Sequence, residues 1–173
     1  MERIDKGEGF SILDGGALVI GSAVASIHIL GVRRLDISGV NWFIFALTFA
    51  WVALTAAGPF VFLERRYGGR IPNYPQIGDR LWALLGIPWN VTALVQSAAP
   101  TSEPGHNPWF AITLSTGLTI VCVIAVAVVW STWVMVPPQQ AARVDAAPWT
   151  NRVGLILSIA WPIQCGLGMV VLS

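Results

Sequence analysis

Long uncharged apolar runs dominate this sequence and restrict what it can fold into. Four are plain, at residues 10–32, 40–63, 109–136 and 153–172. A hydrocarbon core of about 30 Å is crossed by about 20 helical residues that rise about 1.5 Å each. Only 11% of the 173 residues are charged, against about 25% in an ordinary soluble domain. The sequence therefore predicts an all-α, polytopic membrane protein forming a single transmembrane domain.

A fifth segment, residues 81–99, is shorter and more polar, so hydropathy alone leaves open whether it crosses the membrane. If it does, the chain before residue 10 and the connections 64–80 and 137–152 share one side. Eight of the ten basic residues then lie on that side: Arg3, Lys6, Arg65, Arg66, Arg70, Arg80, Arg143 and Arg152. Because basic residues concentrate in cytoplasmic loops, we predict five spans with the N-terminus inside and the C-terminus outside. Four spans plus a re-entrant segment is the alternative.

Small residues recur at every fourth position on three of the predicted spans. They are Ala17, Gly21 and Ala25 on the first span, Ala46 and Ala50 on the second, and Gly154 and Ser158 on the last. Such spacing lets helix backbones approach closely in lipid, where dispersion and hydrogen bonds drive association. We expect these seams to join helices within the chain rather than to form a homodimer.

Uncharged polar side chains are concentrated toward the predicted outer half of the membrane. The candidates for an outward-facing ligand pocket are His28, Asn90, Gln96, Thr113, Thr116 and Gln164. We favour the simpler interpretation that such groups cross-link helices, at about 0.6–2 kcal/mol each. Ser11 and Asp14 have capping-box spacing, which leaves no charge in the middle of a span. Proton- or voltage-driven transport usually requires such charges, so it is disfavoured.

His28 is the one histidine within a predicted span. A neutral imidazole there is a candidate axial ligand for a haem or a chlorophyll-type pigment. We nevertheless predict no cofactor, because a lone histidine is more often a structural hydrogen-bonding residue. We also predict no metal site, since Glu103 and His106 match no standard ligand spacing.

The predicted inner connection at residues 64–80 is the most distinctive polar segment. Its arginines and tyrosines are candidates for docking anionic lipid or a partner protein: Arg65, Arg66, Arg70, Arg80, Tyr67 and Tyr74. Juxtamembrane arginines attract anionic headgroups at about 1 kcal/mol each. Arginines that only set the topology would look the same in sequence.

No catalytic motif is present, and a net charge of +1 provides no basic field for nucleic acid. We therefore predict a non-catalytic integral membrane subunit that contacts lipids and other membrane subunits in a larger complex, with an energy-transducing complex as one candidate. The expected location is a bacterial inner membrane. A small-molecule carrier or channel using the polar pocket is the alternative, and a haem- or pigment-binding protein using His28 is the third hypothesis.

Overall fold

The computed structural model describes residues 10–30, 39–68, 76–98, 108–135 and 149–172, and in those ranges it contains five α-helices and no strand. The helices are α1 (Ile12–Leu30), α2 (Gly39–Tyr67), α3 (Ile77–Ala98), α4 (Pro108–Met135) and α5 (Trp149–Leu172). Over these described ranges, the prediction of an all-α fold with five helices is confirmed.

The third helix is longer than its apolar segment suggested. It begins at Ile77, four residues before the predicted start, and continues through Pro88 to Ala98. Helix α2 likewise continues through Pro59. A proline inside a helix leaves the carbonyl four residues earlier without its usual donor, here the carbonyl of Thr55. Gly86 of α3 lies directly against this carbonyl and the Pro59 ring, so the proline site becomes a contact between helices.

Helix α3 is the centre of the bundle and packs against the other four helices. The ion pair between Asp14 and Arg65 places the start of α1 beside the end of α2. A hydrogen bond from the backbone N–H of Gly78 to the Asn151 side chain places the starts of α3 and α5 together. We call this end of the bundle, where α1, α3 and α5 begin, the basal end, and the opposite end the apical end.

Glycines and alanines form the closest seams between helices. A Cβ at Gly21 would overlap the carbonyl oxygen of Ala53, and one at Gly154 would overlap that of Gly78. Ala17 and Ala25 are also buried, so the seam predicted on α1 is present. The seam predicted at Ala46 and Ala50 is wrong, because both are exposed.

The seam of α2 is formed instead by Ala53, Ala56 and Ala57, which are all buried. These residues lie about two turns further along the helix than the predicted pair, on the face that receives α1. Four-residue spacing occurs on more than one face of α2, so the spacing alone did not identify the packed face.

Apolar side chains cover much of the outside of the bundle. Among the exposed ones are Ile12, Val19, Phe43, Leu94, Val123, Val126, Trp130 and Ile159. One helix within the described ranges, α2 over Phe45–Tyr67, is both long and apolar enough to cross a bilayer, with a mean hydropathy of 1.8. Apolar stretches of α1, Ile12–His28, and of α4, Ser115–Ser131, are shorter.

Candidate functional site

Most of the buried polar side chains lie in two groups, one at each end of the bundle. The buried polar or charged residues are Asp14, His28, Thr55, Arg65, Asp79, Thr92, Thr150 and Asn151. At the basal end, Asp14, Arg65, Asp79, Trp149 and Thr150 form what we call the basal cluster. At the apical end, His28, Trp89 and Thr92 form the apical cluster. Burying such groups costs free energy unless they are paired, so each requires a partner or a role.

The basal cluster contains a buried, bidentate ion pair between α1 and α2. Arg65 donates from Nε to Asp14 Oδ1 at 3.0 Å and from Nη2 to Asp14 Oδ2 at 2.8 Å. The side chains are 2% and 0% exposed. The planar guanidinium fits a carboxylate in this geometry. The guanidinium carbon also lies 5.0 Å from the ring centroid of Trp149, within the range of a cation–π contact.

Asp14 combines this ion pair with the capping box predicted from its spacing. The backbone N–H of Ser11 donates to Asp14 Oδ2 at 2.8 Å, and the N–H of Asp14 donates to Ser11 Oγ at 3.1 Å. The capping prediction is confirmed, but it accounts for only part of the role of this carboxylate. Arg65 is buried against Asp14, so its charge is not exposed for docking in this arrangement, and its docking role stays a prediction.

Asp79 lies in the first turn of α3, just before the predicted third span, and is 4% exposed. Burial raises the pKa of its carboxyl group. The rise is opposed by hydrogen bonds from the Thr150 side chain and the Gln76 backbone and by the charge of Arg65. Its Oδ1 atom is buried and has no hydrogen-bond partner among the described residues. The carboxylate lines a small crevice together with Val61, Phe62, Arg65, Trp82 and Thr150.

In the apical cluster, a histidine joins α1 to α3. His28 Nε2 lies 2.9 Å from Thr92 Oγ1, and Nδ1 lies 2.8 Å from the carbonyl oxygen of Val24. The ring also makes an edge contact with Trp89 at 5.3 Å between centroids. Because both ring nitrogens have oxygen neighbours, binding an iron would require His28 to give up one of them. The axial-ligand hypothesis stays a prediction.

The other pocket candidates take up different positions. Asn90 Nδ2 donates to the carbonyl oxygens of Ala56 and Gly86, at 3.0 and 2.8 Å. Gln96 is half-buried, and its Oε1 has no hydrogen-bond partner among the described residues. Thr116 is exposed on α4. The side chains of Thr113 and Gln164 lie outside the described residues, so the full pocket stays a prediction.

The remaining docking candidates that the structure describes are exposed, whereas Arg65 is buried. Tyr67 is 86% exposed, and Arg66 and Arg80 are also exposed. These three side chains surround the basal end, where they are available to a headgroup or a partner. Arg70 and Tyr74 lie outside the described residues.

The sequence interpretation missed Thr92, Asp79 and Thr150 as members of the two clusters. One signal was available for the basal cluster: Asp14 and Arg65 carry opposite charges at the same predicted end of two consecutive spans. Charges at equal depth on neighbouring membrane helices commonly pair. No comparable signal marked Thr92, because a threonine in an apolar helix usually bonds to its own backbone.

No group of three metal-ligating side chains occurs in the part of the chain that the structure describes. Comparisons with protein-family models, with curated proteins and with solved structures found no match. The function must therefore be argued from the geometry alone.

Proposed function

We propose that this chain is an integral membrane protein that crosses the bilayer five times, with its basal end toward the cytoplasm. The observation that carries the proposal is the distribution of polarity: most of the buried charged and polar side chains bond to one another or to the backbone, while many large apolar side chains face outward. A soluble monomer rarely exposes large continuous apolar patches. In lipid the same surface is favourable, and the polar groups must be satisfied internally.

Helix length and charge placement support the same proposal. The helices contain between 19 and 29 residues, which corresponds to about 28–44 Å at about 1.5 Å per residue. Helix α3, the ambiguous segment, has 22 residues and runs the length of the bundle without a break. This continuity favours a full crossing over a re-entrant segment. The exposed Arg66 and Arg80 lie at the basal end, as the positive-inside rule expects for a cytoplasmic face.

Within the membrane, we propose that the chain acts as a non-catalytic subunit of a larger complex in a bacterial inner membrane, with an energy-transducing complex as one candidate. Its described polar groups act mainly as cross-links: Asp14 with Arg65, Asn151 with Gly78, and His28 with Thr92. Helix α4 packs mainly against α3. Most of its surface is therefore left for lipid or for neighbouring subunits.

A small-molecule carrier is the second candidate, and one observation favours it. The buried Oε1 of Gln96 has no hydrogen-bond partner among the described residues, and Gln96 lies one helical turn after Thr92, toward the apical end of α3. An unpaired acceptor buried in this way costs about 1–3 kcal/mol, which a polar solute could recover.

The two candidates are separated by purification from native membranes and by reconstitution. The subunit function predicts that the chain resists alkaline carbonate extraction and co-purifies in fixed stoichiometry with other integral membrane proteins. It would be contradicted by recovery of the isolated chain from native membranes, combined with solute uptake into liposomes. Uptake that is lost in Gln96→Leu but kept in Ser97→Ala, its exposed neighbour, would establish the carrier instead.

A further inference from the structure

The carboxyl group of Asp79 has an environment that the proposed function does not use. The residue is 4% exposed, yet one of its two oxygens has no hydrogen-bond partner among the described residues. Buried polar atoms are almost always paired, so an unpaired one requires an explanation. If the Asp79 carboxyl group were ionised, its negative charge would have few partners to stabilise it. The protonated form carries no charge and avoids this cost.

The nearest source of compensation, Arg65, is already engaged. It lines the same crevice as Asp79, but both of its described ion-pair hydrogen bonds go to Asp14. One guanidinium therefore faces two buried carboxyl groups. When two carboxyl groups share one site, the proton is retained by one of them. Asp14 has the better hydrogen bonds to its ionised form, so Asp79 is the group that retains the proton.

The ion pair between Asp14 and Arg65 joins α1 to α2, and we call it the clasp. We propose that Asp79 is a proton-binding switch on this clasp. When Asp79 is protonated, it does not compete for Arg65, so Arg65 stays bonded to Asp14 and the clasp is closed. When the proton leaves to solvent at the basal end, the new carboxylate competes for Arg65 and draws the guanidinium from Asp14. The clasp then loosens, and Arg65 shifts relative to the ring of Trp149.

Among the residues that the structure describes, the other charged groups around Asp79 do not provide an alternative partner. On α2, Glu64 precedes Arg65 and adds negative charge to this region. On α5 and on α3 itself, the nearest cations are Arg152 and Arg80, and both are exposed. Helix α4 contains no charged residue, and the other titratable group on described α1, His28, lies at the apical end. Within the described ranges, Arg65 is thus the buried cation available to both carboxyl groups.

The pH dependence of stability follows from the position of this proton. Since burial raises the pKa of Asp79, the folded state holds a proton that the unfolded state releases more easily. The stabilisation is complete below the ordinary pKa of an aspartate and is lost as pH rises through the raised folded-state pKa. The clasp therefore weakens toward alkaline pH.

The full-length chain in detergent micelles provides the test, with tryptophan emission and thermal unfolding recorded between pH 4 and about pH 9. We expect an emission step accompanied by a fall in the unfolding midpoint as pH rises. Both should be absent in Asp79→Asn, and the emission step should be absent in Trp149→Phe. Thr150→Val removes a hydroxyl that favours the ionised carboxylate, so it should move the step to higher pH.

Arg80→Gln is the matched control, because it removes an exposed charge next to Asp79; it should move the step less than Thr150→Val does. The proposal is overturned if the wild-type chain shows no step, if the step persists in Asp79→Asn, or if Thr150→Val moves it to lower pH. Should Asp79→Asn fail to fold, the direction of the Thr150→Val shift decides the question.

Discussion

The buried ion pair between Asp14 and Arg65 yields the sharpest prediction about stability. Arg65→Met removes the cation while retaining most of the side-chain volume. The partner, Asp14, is 0% exposed, so its charge would lose its cation and, of its described hydrogen bonds, keep only the one from the Ser11 N–H. Breaking a buried pair in this way costs about 3–5 kcal/mol, and losing the contact with Trp149 adds about 0.5–1 kcal/mol. The expected loss is a large fraction of the total free energy of unfolding, which is about 5–15 kcal/mol for a typical fold.

A double-mutant cycle separates the ion pair from the packing of the two side chains. Asp14→Asn with Arg65→Met removes both charges and keeps an oxygen that accepts from the N–H of Ser11. The double variant should therefore be more stable than Arg65→Met alone, with a coupling energy of about 2–3 kcal/mol.

Unfolding in mixed micelles by titration with sodium dodecyl sulfate, followed by tryptophan fluorescence, measures these differences. The matched control is Arg66→Met, because Arg66 is exposed and should change stability by no more than about 0.5 kcal/mol. The reasoning is refuted if Arg65→Met and Arg66→Met are equally mild, or if the effects of Asp14→Asn and Arg65→Met simply add.

Two further substitutions test the contacts between helices. Gly21→Ala should separate α1 from α2 and lower the unfolding midpoint, because its Cβ would overlap the Ala53 carbonyl oxygen. The control Gly16→Ala should be neutral or mildly stabilising, since a Cβ there meets no atom within 4 Å. Equal unfolding midpoints for the two variants would contradict this seam. Thr92→Val should cost about 1–3 kcal/mol because it leaves the buried Nε2 of His28 without its oxygen partner, and an unchanged unfolding free energy would show that the α1–α3 bond is not stabilising.

The number and approximate positions of the described helices were predictable because the length of each apolar run can be read directly from the sequence. The seam at Gly21 was also predictable, since small residues at four-residue spacing lie on one helix face. The same spacing misidentified Ala46 and Ala50, because it recurs on α2 and only the three-dimensional packing selects the face.

The basal cluster was less accessible to sequence reasoning. Arg65 at the end of a span has the composition expected of a topology-setting arginine, and nothing in its local sequence distinguishes it from Arg66. The distinction arises from helix rotation: Arg65 faces Asp14 while Arg66 faces outward. Asp79 lies just before the third apolar segment, but its burial depends on Thr150 of α5, more than 70 residues away in the sequence.

The central claim is that α3 crosses the membrane completely, and cysteine labelling tests it most directly. In a background of Cys122→Ser and Cys165→Ser, single cysteines are introduced as Asn73→Cys and Ser102→Cys, on either side of α3. In intact cells, a membrane-impermeant maleimide should modify the cysteine at 102, and should modify the one at 73 only after permeabilisation. Modification of both from the same compartment would contradict the five-span account.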